Sequence, residues 1–156
     1  MCRFIAYLGT PPLRLSSLLE EPENSLIKQS KHAQESGKRG LNADGFGIAW
    51  YQKHLTPFPA LFRSTSPAWS DVNLQNLATT TASSCFLGHI RAATVGNVNL
   101  YNCHPFTYQQ YSFVHNGTIR HFNIIRRAVL NLLDDDIFET ISESVCPEIV
   151  SKISSY

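Results

Sequence analysis

Cys2 stands directly behind Met1. If an aminopeptidase removes Met1, as a small second residue permits, one carbon carries both a thiol and a free α-amine. An α-amine titrates at about 7.7–8.0 and a thiol at about 8.5, so moving the thiol proton to the amine costs little at neutral pH. One residue then supplies nucleophile and base, as an N-terminal threonine does in other hydrolases. With Met1 in place the Cys2 nitrogen is an amide and that base is lost. A second reading makes Cys2 a small apolar residue at the start of a buried strand, a common fate of free cysteine.

Three more stretches have residue types suited to chemistry. In Gly88-His89-Ile90-Arg91-Ala92-Ala93-Thr94, Arg91 interrupts an apolar run. A semi-buried guanidinium needs an anionic partner. A substrate carboxylate held by the bidentate fork would supply one, and so would one of the protein's own acids. His89 reads as a hydrogen-bonded core histidine. Phe113-Val114-His115-Asn116-Gly117-Thr118 ends an apolar strand in Asn-Gly. That is a hairpin signal. It is also a way to aim an amide side chain and a backbone N–H at one point, as an oxyanion hole requires; each such donor is worth about 3–4 kcal/mol of barrier. Asn42-Ala43-Asp44-Gly45-Phe46-Gly47 reads as a tight turn before a strand. Cys103-His104 offers two adjacent ligand types, and a zinc module built on them is a third option. The four cysteines (Cys2, Cys85, Cys103 and Cys146) contain no CxxC spacing, so neither metal nor cofactor is expected.

These residues need a scaffold. Residues 3–8 are apolar on both faces of an extended segment, apart from Arg3, which predicts a strand covered on both sides and ended by Gly9, Pro11 and Pro12. Residues 25–36 predict a helix begun by a Ser cap. Ile48–Tyr51 reads as a strand, 53–69 with its three prolines as a surface excursion, and 70–78 as a short helix capped by Ser70. A second strand spans 84–92, a loop 95–110, and a third strand Tyr111–His115. Phe122, Ile125, Val129, Leu132 and Leu133 then recur at helical spacing. A last helical stretch covers about 136–145. Strands followed by helices imply layered sheets covered by helices.

The chain has 156 residues, 43% hydrophobic and 16% charged, with net charge +1. That composition argues for a packed globular core rather than disorder. The near-neutral balance advertises no nucleic-acid surface. No apolar run reaches the roughly 18 residues of a membrane span. The apolar stretch after Arg3 is too short for a secretory signal, so a cytoplasmic location with reduced thiols is expected.

Taken together, MCRFIAYLG, LNADGFGIAWY, GHIRAAT with Gly96 beyond it, NCHPF and FVHNG resemble, in order and rough spacing, the class II glutamine amidotransferases, the Ntn-hydrolase group with N-terminal cysteine. The likeness spans residues 1–118. The MCRF start with PLRLSSLL, NADGFG and HPF are most similar to the branch that hydrolyses γ-glutamyl compounds in thiol metabolism. The resemblance implies an α+β fold, the αββα four-layer sandwich, as a single domain over 1–156 that is incomplete at its C-terminal end. It implies Cys2 as nucleophile, Asn116 and Gly117 as oxyanion donors, and Arg91 with Thr94 as the substrate-carboxylate site. Asp44 and Gly45 become the turn beside the nucleophile, and His104 and Pro105 a loop bordering the site. The expected reaction is cleavage of the γ-amide of glutamine or a γ-glutamyl compound through a thioester, with a small-molecule substrate and no nucleic-acid or membrane partner. The family's Asp-Ser-Glu segment, which binds the substrate α-amino group, has no counterpart: Asp134–Asp136 and Ser142-Glu143-Ser144 do not match it. That gap, with the missing sheet half, keeps open a catalytically inactive partner subunit or interaction module, and a homo-oligomer.

Overall fold

The computed structural model describes residues 2–31, 42–92, 98–117, 119–135 and 138. They fall into two compact units, Met1–Asn116 and Gly117–Tyr156. The first unit is a four-stranded antiparallel sheet with helices on one face and a two-stranded hairpin beside it. Its elements in chain order are β1 (Arg3–Arg14), α1 (Ser16–Leu19), α2 (Leu26–Lys31), β2 (Phe46–Trp50), β3 (Ala60–Ser64), α3 (Val72–Thr80), β4 (Ala82–Ile90), β5 (Phe106–Tyr108) and β6 (Tyr111–Phe113). The strand order is β1-β4-β2-β3, and β5 pairs with β6.

Directly paired residues share a face of a sheet, and each strand alternates faces. The ladder pairs Ile5 with Gly88, Tyr7 with Phe86, Phe46 with Ile90, and Ile48 with Gly88 and Phe62. These residues form one face. They pack with Leu15 and Leu19 from the α1 region, Leu26 of α2, and Leu74 and Ala78 of α3 into the buried core. Gly88 is what lets α1 and α2 descend. A Cβ there would stand 3.0 Å from Leu19 and 3.3 Å from Leu26. The opposite face has Phe4, Ala6 and Leu8 of β1, Cys85, Leu87 and His89 of β4, Gly47 and Ala49 of β2, and Leu61 and Arg63 of β3.

Several expectations are corrected. Strand β1 is not covered on both sides: it is an edge strand, with Phe4 52% and Leu8 81% exposed. Nor do Gly9, Pro11 and Pro12 end it. Pairing lapses between Leu8 and Leu13 and then resumes at Leu13–Ser83 and Arg14–Ala82. An edge position tolerates prolines, because a missing N–H on a bulged edge breaks no central ladder. The 53–69 excursion contains β3, and the 95–110 loop contains β5. The third strand stops at Phe113 rather than His115.

Helix α3 is capped by Asp71, whose carboxylate accepts the Leu74 N–H at 2.9 Å; Ser70 belongs to the preceding 3-10 turn. The Ser25 cap holds: its hydroxyl accepts the Lys28 N–H at 3.3 Å. Helix α2 ends its described part at Lys31, and 32–41 lie outside the described residues. Among the described residues, no helix is long and apolar enough to cross a membrane.

In the second unit, α4 (Phe122–Leu130) occupies the segment with helical spacing. Phe122 is buried and Ile124 exposed. Most of the predicted 136–145 helix lies outside the described residues.

Candidate active site

At one end of the sheet β1 begins, β4 finishes and β2 begins. Cys2 precedes Arg3, whose ladder partner is Ile90, which also pairs with Phe46. Three strands therefore deliver Cys2, Arg91 and the Gly45 turn to neighbouring positions.

The Cys2 sulfur accepts the Ala92 N–H at 3.3 Å and lies 3.5 Å from the Ala92 carbonyl. The Cys2 carbonyl accepts an N–H from the Asn116 side-chain amide at 3.0 Å. Thus the sulfur-bearing residue meets the backbone just past Arg91 on one side and the Asn116 amide on the other. An amide nitrogen has two protons, so donation to Cys2 uses one of them.

Arg91 is 5% exposed, and its backbone N–H donates to the Gly45 carbonyl at 2.8 Å. Gly45 has φ of +102°, a conformation that costs a residue with a Cβ but not glycine. A Cβ there would also meet the Cys103 sulfur. The NADGFG turn thus fixes the backbone on which Arg91 is mounted. Asn42 in the same turn is buried, and its N–H donates to Ser30 of α2 at 3.0 Å.

The NCHPF loop closes the site-side face of the sheet. Cys103 is fully buried, with its sulfur 3.4 Å from the Ser64 carbonyl and 3.5 Å from that of Asn99. Burial pushes its thiol pKa up; the Arg91 and Arg63 guanidinium groups and the Phe46 N–H partly oppose this. Arg63 reaches the Cys103 carbonyl at 3.4 Å.

His104 stacks on His89 and on Phe106, with ring centroids 4.4 Å apart in both pairs. His104 Nδ1 accepts the His115 backbone N–H at 3.2 Å. Gly47, the ladder partner of His89, leaves the room for this loop, since a Cβ at 47 would collide with the His104 carbonyl. His89 is buried in this stack, in keeping with a core histidine. Among the described residues, no three His, Cys, Asp or Glu side chains are grouped to hold a metal ion.

The structure therefore brings Cys2, Asn116 and the Arg91 backbone together. Gly117 is exposed and begins the second unit. Thr94 lies outside the described residues. The bond from His115 to His104 has no sequence signature, because its donor is main chain.

The family profile of glutamine amidotransferases class-II matches residues 17–156. Over 153 residues the chain is 40% identical to a probable glutamine amidotransferase, DUG3, of Saccharomyces cerevisiae, covering 95% of this chain and 43% of that protein. It is 35% identical to a γ-glutamyl-hercynylcysteine sulfoxide hydrolase of Mycobacterium tuberculosis over 132 residues, 83% of this chain and 52% of that protein. A solved glutamine aminotransferase class-II domain protein from Silicibacter pomeroyi superposes with a TM-score of 0.64 at 28% identity, covering 98% of this chain and 53% of that one. The chain spans about half the length of the curated relatives it matches.

Proposed function

The chain belongs to the class II glutamine amidotransferases, and from that premise we propose that it cleaves the γ-amide of glutamine or of a γ-glutamyl compound, with Cys2 as an N-terminal nucleophile. The observation that carries this reading is the contact of Cys2 with the Asn116 amide, at the end of the strand that leads into Arg91.

The reaction begins once Met1 is removed. The Cys2 α-amine, directly or through a water, takes the thiol proton. The thiolate sulfur attacks the γ-carbonyl carbon, and its electron pair forms the C–S bond while the carbonyl π pair moves to oxygen. That oxyanion accepts the second Asn116 amide proton and the Gly117 N–H. The intermediate collapses, the C–N bond breaks, and the amine leaves with the proton returned from the Cys2 ammonium. A γ-glutamyl thioester remains. Water, deprotonated by the same amine, hydrolyses it and releases glutamate and the free thiol. Arg91 and Thr94 hold the substrate α-carboxylate; the guanidinium fork of an arginine matches a planar carboxylate.

In this reading residues 1–156 belong to a single amidotransferase-type domain of the four-layer αββα kind, working in the cytoplasm on a small-molecule substrate. The relative named as a glutamine amidotransferase supports the glutamine reading, and the one named as a γ-glutamyl-hercynylcysteine sulfoxide hydrolase the γ-glutamyl one.

The test is release of glutamate from glutamine and from γ-glutamyl amides by folded, Met1-free protein. Turnover that Cys2→Ala abolishes is the expected result. A folded Met1-free sample that releases no glutamate from any γ-glutamyl donor would leave the inactive-subunit reading in its place.

A further inference from the structure

We propose that His104 is a positioning residue for the oxyanion donor Asn116: its neutral imidazole, with the ring proton on Nε2, accepts the His115 N–H at Nδ1 and so sets where the Asn116 amide points. This rests on the role given to Asn116 above.

The hydrogen bond itself dictates the tautomer. A backbone N–H can only donate, so the nitrogen 3.2 Å away must be bare, and in a neutral ring the proton then sits on Nε2. The bond is well placed to matter. The β5–β6 ladder has its last pair at Phe106–Phe113. Beyond it the chain runs to Asn116 and, among the described residues, without sheet pairing; bonds that tie this stretch down there are His115 N–H to His104 and the Asn116 amide to Cys2. One of them originates one residue before the donor.

The ring that accepts is itself packed by two others. Its centroid lies 4.4 Å from that of His89, at an interplanar angle of 30°, and 4.4 Å from that of Phe106, at 54°. His104 and His89 are both buried. The stack exists because Gly47 sits opposite His89 in the ladder: with no side chain at 47, the His104 backbone comes down against β2 and its ring reaches His89. A rigid strand thus supports a ring, and the ring supports a chain segment that carries a donor. Such support counts in catalysis, because a displacement of about 1 Å at a reacting group can lower the rate roughly 100-fold.

Two substitutions separate the acceptor from the stack. His104→Asn places an amide oxygen close to the position of Nδ1 and removes the ring. His104→Phe keeps a ring and removes the acceptor. In the nitrogen-15-labelled full chain, a through-bond coupling between the His115 amide nitrogen and His104 Nδ1 is expected. So is a shift of the Asn116 side-chain amide resonances in His104→Phe that is absent in His104→Asn. In glutamate release, His104→Phe is expected to lower kcat roughly 10- to 100-fold with KM nearly unchanged, while His104→Asn stays within about threefold of the parent.

The proposal is overturned if His104 Nδ1 carries a proton at neutral pH and no coupling is seen, or if His104→Phe leaves the Asn116 resonances in place. It is also overturned if the Asn and Phe variants lose kcat equally. A parent protein that shows the coupling yet releases no glutamate refutes the hydrolase reading alone; the Asn116 resonances in the two variants then decide the role of His104. Should His104→Phe not fold, the coupling in the parent and the resonances of His104→Asn still decide it.

Discussion

Alternate residues of the same strands build two faces of the sheet with different chemistry. On β4, Phe86, Gly88 and Ile90 look toward α1–α3 and join the apolar core. One residue out of step, Cys85, Leu87 and His89 look the other way, and His89 meets the His104 ring. The first face is held by area: apolar side chains leaving water contribute about 25 cal/mol per Å² with little demand on angle. Near the site the second face is held by direction, through the stack, the His104–His115 bond and the close approach at Gly47. The lesson is a division of labour at a period of two. Changes on the helix face should be read in stability, and changes on the site face in chemistry.

Four substitutions sharpen or break that division. The largest stability effect is expected from Phe86→Ala, which opens a cavity beside Tyr7 and costs about 3–5 kcal/mol. Urea unfolding would show it, while the rate per folded molecule stays near the parent value; a folded variant with a specific loss of turnover would break the comparison. Gly47→Ala comes next. Its Cβ meets the His104 carbonyl, so about 1–3 kcal/mol of stability should go together with kcat. An unchanged melting temperature and an unchanged kcat would show that the loop yields freely.

Asp71→Ala removes the α3 cap on the helix side. It should cost about 1 kcal/mol by thermal denaturation and leave kcat and KM alone. The smallest effect belongs to Cys103, whose thiol pKa is raised by burial. A raised folded-state pKa means that the unfolded chain ionises first. The contribution to stability is then complete well below the ordinary thiol pKa and is lost as pH rises past that value and through the higher folded one. Denaturation midpoints of the parent should fall on that alkaline side, and those of Cys103→Ala should fall less.

The sequence showed the elements whose signals are local. The Ser25 cap, the helical spacing from Phe122 and the apolar runs of β2 and β4 each correspond to an element. It misled where a tertiary position overrides a local rule. Pro11 and Pro12 read as a strand end, yet an edge strand tolerates them. The prolines around 60–64 hid β3, whose pairing with β2 is non-local. Ser70 and Asp71 are both good caps, and only the backbone geometry at Asp71 selects the second. In the site, Cys2, Arg91 and Asn116 stood out by residue type, and the chain brings them to one end of the sheet. His104 stood out only as a loop residue, since the bond that gives it a task comes from a peptide N–H.

The most direct measurement is peptide mapping by mass spectrometry of folded, Met1-free protein treated with a diazoketone analogue of glutamine. The account predicts one adduct, on the sulfur of Cys2, blocked by excess glutamine, with Cys85, Cys103 and Cys146 unmodified. An intact fold with no adduct at Cys2, or equal labelling of all four thiols, would contradict it.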